Sequence, residues 1–147
     1  MINETILRRI LYLGTGLIIV VVLILAFMVI PSVRMDTSPQ ATPERAVPAI
    51  WIVVIIHLLI VAALIWTILV IQRGGRINKG LLVTVGVVLI LLSLMVLDGA
   101  SAYSGHPDPG MHRVAVSMFV CVGCNFLTSV LAFFTAWNSR RLQPPSK

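Results

Sequence analysis

Charge is what this sequence has least of. Asp, Glu, Lys and Arg make up 11% of its 147 residues, where a soluble domain carries roughly 25%. Acids are the scarcer sign, five against eleven bases. Cysteine occurs only at Cys121 and Cys124, outside any loop, so no disulfide framework supports the connections. The long apolar runs hold no ionisable carboxylate, the central part of proton-coupled transporters and rotor subunits. No internal repeat of about 20 to 50 residues recurs. Together these shortages exclude a soluble enzyme, a nucleic-acid-binding domain and a disordered tail.

Apolar residues are plentiful, at 59%. They gather into four uncharged runs: Ile10 to Val33 (24 residues), Ala46 to Gln72 (27), Gly80 to Leu97 (18) and Val114 to Ser139 (26). A bilayer core of ~30 Å calls for about 20 apolar residues per helix. The sequence therefore predicts an all-α integral membrane protein, one membrane domain over residues 1–147. The expected architecture is an antiparallel four-transmembrane-helix bundle with helices at about 9–31, 48–72, 80–98 and 112–138, a short cytoplasmic hairpin and two longer exterior loops.

The net charge of +6 reports orientation rather than nucleic-acid binding. Arg8, Arg9, Arg73, Arg76, Lys79, Arg140, Arg141 and Lys147 fall at one set of span ends, and Arg34, Arg45 and Arg113 at the other, together with Asp36, Glu44, Asp98 and Asp108. By the positive-inside rule both termini and the Arg73 to Lys79 hairpin are cytoplasmic, which places the chain in the plasma (inner) membrane. No segment reaches the ~4 to 8 clustered bases of a lipid-binding patch. The first apolar run is too long for a cleaved secretory signal and reads as a retained first helix.

Local signals set the expected boundaries. Pro31 should end the first helix because its ring cannot continue the hydrogen-bond ladder. Ser32 to Val47 reads as an extended cover over the bundle, and Pro48 as a first-turn residue of the second helix. Gly74-Gly75 makes the cytoplasmic turn, so the second and third helices should be antiparallel neighbours. Trp51, Trp66 and Trp137 fall at the expected interfaces. Gly14, Thr15 and Gly16 offer a small surface for close helix approach, and Gly86 and Ser93 share one face of the third helix. Asp98 and Arg113 should terminate neighbouring helices and form an interfacial ion pair.

Few interior residues can carry chemistry. His57 lies ~13 Å below the outer surface at 1.5 Å per residue. Ser117, Cys121, Cys124, Thr128, Leu131 and Thr135 recur at alternating four- and three-residue steps along one stripe of the fourth helix. Asn125 borders that stripe at a depth bracketing His57, so one polar layer of His57, Cys121, Cys124 and Asn125 is expected across the second and fourth helices. Packing accounts for it most economically, through interhelical hydrogen bonds and cysteine acting as a small hydrophobe. The alternative is a cofactor site: a haem or quinone partner for His57, or a thiol redox pair.

Cys121-Val122-Gly123-Cys124 in the last of four helices resembles in form the vitamin K epoxide reductase family. That resemblance implies a thiol pair beside a bound quinone, fed by a second cysteine pair in an exterior loop. The loops here contain no cysteine. At the outer side, Met111 with His106 and His112 is a candidate copper-handling set, because thioether and imidazole suit that metal.

The expected function is that of a non-catalytic accessory or assembly subunit of a membrane protein complex, with the bilayer and other membrane subunits as partners and no nucleic acid. A redox or cofactor-bearing membrane subunit is the alternative. A copper-handling protein or a small transporter ranks behind both.

Overall fold

Each of the four apolar runs folds as a helix longer than the run itself. The computed structural model describes residues 4–36, 43–106 and 108–139. In it α1 spans Glu4–Arg34, α2 Pro43–Gln72, α3 Lys79–Ser104 and α4 Pro109–Asn138, and no strand occurs among the described residues. All four are long and apolar enough to cross a membrane, which suggests an integral membrane protein in contact with a lipid bilayer. Arg140, Arg141 and Lys147, part of the basic set used for orientation, lie outside the described residues.

The helices outrun the expected boundaries at the prolines. Pro31 does not end α1. The chain first widens into a π turn over Leu25–Val29, in which the Ile30 N–H reaches back to the Leu25 carbonyl, and then continues as α-helix through Arg34. A proline removes one backbone donor, and Pro31 sits in the first turn after the π segment, where a missing donor is tolerated. Pro48 is likewise inside a helix, because α2 already begins at Pro43. The carbonyl four residues before Pro48 belongs to the exposed Glu44, where water can satisfy it. The cover expected over 32–47 is thus helical at both ends, and its centre, 37–42, lies outside the described residues.

At the other boundaries side chains supply the missing partners. Asn78 caps α3 by accepting from the Leu81 N–H (3.1 Å), and Asp108 caps α4 by accepting from the Gly110 N–H (2.8 Å). Between α2 and α3 the chain turns at Gly74, whose φ of 68° is the expected glycine conformation. The Gly75 N–H reaches the Val70 carbonyl (2.9 Å) and the Gly74 N–H the Ile71 carbonyl (3.1 Å), the paired bonds of a Schellman motif.

Cross-helix contacts fix the directions. Gly14 lies against Thr128 and Gly99 against Met118. The Ser129 hydroxyl donates to the Gly86 carbonyl (2.9 Å), and the Gln72 amide donates to the Tyr12 hydroxyl (2.9 Å). Successive helices therefore alternate in direction. Their neighbours differ from the sequence reading: α4 packs most closely on α3 and then on α1, α1 also packs on α2, and α2 barely meets α3 although a short turn joins them. The physical reason lies in side-chain size. A Cβ on Gly86 would sit 2.8 Å from the Phe133 ring, and one on Gly14 would sit 3.2 Å from the Thr128 methyl, so small residues seat α3 and α1 on α4. The inward face of α2 instead presents Val53, Val54, Ile60, Leu64 and Ile68.

Candidate functional site

The only described side chains that bridge α2 and α4 by a hydrogen bond are His57 and Asn125. Both are buried at 0% exposure, and both lie near the middle of a 30-residue helix. His57 Nδ1 donates to the Val53 carbonyl one turn earlier (2.7 Å), and Nε2 lies 3.0 Å from the Asn125 amide. A neutral ring that donates from Nδ1 accepts at Nε2. The amide then turns its NH₂ toward the ring, since amide oxygen and nitrogen exchange places by a simple flip. The other terminal atom of the Asn125 amide is buried without a hydrogen-bond partner among the described residues. Such an orphan costs more than a formed bond gains, so it is the most strained polar feature of the interior.

The expected polar layer is thus present at its centre and divided at its edge. Cys121 is fully buried, while Cys124 is half-buried and packs beside the core. Both thiols are free. Thr128 and Thr135 on the same stripe return their hydroxyls to carbonyls of their own helix, at Cys124 (2.9 Å) and Leu131 (2.8 Å). Thr15, Thr67 and Ser93 do the same on the other helices. Back-bonding of this kind satisfies a buried hydroxyl without demanding a neighbour, which is why the stripe can pack closely against α1.

The outer set of Met111, His106 and His112 falls into three different environments. Met111 is buried in the core, its sequence neighbour His112 points outward and is exposed, and His106 is half-buried. The two ring nitrogens of His106 are already engaged: Nδ1 accepts from the Asp108 N–H (3.2 Å), and Nε2 lies 3.5 Å from the Asp36 carboxylate. No three His, Cys, Asp or Glu side chains among the described residues are grouped as metal ligands would be. The ion pair expected between Asp98 and Arg113 is not formed. Helix α3 runs on to Ser104, so Asp98 stands ~9 Å short of its end at 1.5 Å per residue, and both side chains are exposed.

Two features escaped the sequence reading. One is the His106–Asp36 contact, which ties the end of α1 to the end of α3, with the Tyr103 ring tilted beside His106 at 6.5 Å between centroids. Nothing periodic marks it, because its partners lie in different connections. The other is an apolar cavity of about 200 Å³ at the same end, formed mostly by α2 and α3 and closed below by Leu25 and Met118. Its only forewarning is the run of small residues Ala46, Ala49 and Gly99 on facing helices.

Comparison with protein-family models, curated proteins and solved structures finds no match to this chain.

Proposed function

We propose that this chain is a non-catalytic accessory or assembly subunit of a membrane protein complex, held in the plasma (inner) membrane with both termini cytoplasmic. The observation that carries the reading is the state of His57. It is the one histidine in the interior among the described residues, and both of its ring nitrogens are engaged within the chain. Hydrogen bonding between membrane helices is a structural use of such residues. The outward faces support the same reading, since Phe27, Trp66, Phe126 and Trp137 offer large apolar area to lipid or to other subunits. The segregation of bases supports the orientation.

The test is affinity purification of the full chain from native membranes in mild detergent, with identification of everything that accompanies it. A reproducible set of membrane subunits at fixed stoichiometry is expected. A monodisperse monomer with no companion overturns the proposal. Reporter fusions at each connection test the orientation independently. A second reading, a subunit bearing a haem or quinone, draws support from the unpartnered amide atom of Asn125. An optical spectrum and solvent extract of the same sample decide it: a Soret band or a stoichiometric quinone would displace the first reading.

A further inference from the structure

We propose that the cavity between α2 and α3 holds the upper part of one acyl chain of a membrane phospholipid, whose ester carbonyl accepts a hydrogen bond from the Tyr103 hydroxyl. The position of the cavity comes first. It occupies the gap between the two consecutive helices that barely pack, with buried Val53, Val96 and Met118 along its depth and exposed Ala49 and Met95 at its rim. In a membrane-spanning bundle that rim faces hydrocarbon. A space that is apolar, open to the bilayer and deep in the protein is filled by whatever chain the bilayer supplies.

Size narrows the occupant. About 200 Å³ exceeds an apolar cavity of roughly 150 Å³ that admits a benzene ring, and it falls below the ~300 to 1,000 Å³ of pockets that enclose a drug-sized ligand. Part of one hydrocarbon chain fits; a haem does not. Polarity narrows it further. Tyr103 is the one lining residue with a polar side chain. It stands in the last turn of α3, beside His106 and the Asp36 carboxylate. Its hydroxyl has no hydrogen-bond partner among the described residues, and a tyrosine at this level of a membrane helix normally presents its hydroxyl to the interface. A phospholipid matches this arrangement, with carbonyl at the rim and tail below. A quinone ring lodged deeper would bring its carbonyl oxygens against Leu25, Val53 and Met118, none of which has a side-chain donor.

The experiment uses the full chain in vesicles of phosphatidylcholine doped with a phosphatidylcholine carrying a diazirine on one acyl chain. After photolysis, adducts should concentrate on Val53, Val96 and Met118, which are buried and line the cavity. They should also appear on exposed residues such as Phe126. Filling the cavity with Gly99→Leu and Ala49→Leu should erase the first group and leave the second. Adducts confined to exposed residues overturn the proposal, and this wild-type map decides the matter even where the filled variant does not fold. Extraction of the native protein should yield bound phospholipid, whereas a stoichiometric prenylquinone overturns the choice of occupant. Tyr103→Phe should lower phospholipid retention about fivefold, the worth of one net hydrogen bond. Unchanged retention removes the carbonyl contact.

Discussion

The two ends of the bundle are held by different means. At the hairpin end, glycine and hydroxyl residues let helices touch: Gly86 lies under the Phe133 ring, Gly14 against Thr128, and Ser129 bonds the Gly86 carbonyl. At the loop end the connections carry the work. The chain there holds a π turn and two prolines within helices, and the His106–Asp36 contact ties the end of α1 to the end of α3, while the side chains between α2 and α3 leave a cavity. The difference shows that a small residue gives close packing in this protein only where a partner side chain fills the space beside it. Phe133 does so at Gly86, whereas Ala46 and Ala49 face a gap between α2 and α3.

That contrast can be broken by substitution, and the greatest effect is expected at the hairpin end. Gly86→Leu must displace Phe133 and should cost about 3 kcal/mol, at the upper end of typical overpacking. Unfolding by SDS titration in mixed micelles measures it, and Phe133→Ala in the same chain should restore part of the loss. A neutral Gly86→Leu would mean that the contact is loose.

Asn125→Leu, midway between the ends, strands His57 Nε2 while removing the unpartnered amide atom, and should cost about 1 kcal/mol, the worth of one hydrogen bond. Adding His57→Leu should cost less than the sum of the two single changes, because each single change leaves a buried polar group alone. Additive losses would show that the pair does not interact.

At the loop end the sign should reverse. Gly99→Ala places a Cβ 3.6 Å from the Met118 thioether, an ordinary contact, and removes a helix-interior glycine. A gain of about 0.5 to 1 kcal/mol is expected in the same titration, and a loss would show that this end is as tight as the other. Asp36→Asn keeps the shape and an oxygen that can accept from His106 Nε2, and should have the smallest effect, about 0 to 1 kcal/mol. A larger loss would make the Asp36 contact a principal fastener of the loop end.

What could be seen in the sequence follows the same division. The four apolar runs, the Gly74-Gly75 turn, the inward stripe of α4 and the level shared by His57 and Asn125 all follow from composition, helical period and rise. Those are local quantities, and they serve best where packing is regular. Pro31 and Pro48 misled because a proline's effect depends on whether the orphaned carbonyl finds water or a wider turn, which is settled in three dimensions. The pairing of helices was hidden for a related reason. Adjacency in the chain favours α2 beside α3, but Gly14 and Gly86 both seek α4, and a glycine does not announce its partner. Of the candidate site, only the His57–Asn125 link was legible.

The π turn of α1 also bears on which insertions and deletions the gene could tolerate. From Val21 the buried positions of α1 advance by four, through Leu25 and Val29 to Val33, although in a regular helix each such step overshoots a full turn by about 40°. The wide turn absorbs that drift by accommodating one surplus residue. Deleting Ala26 should therefore straighten the helix and leave the flanking segments facing as they do now. The same deletion at Leu58 would swing everything beyond it by about 100°, turning His57 and Leu64 to different sides of α2. Length variation in this chain should accordingly gather at Leu25–Val29 and be absent from the rest of the helices.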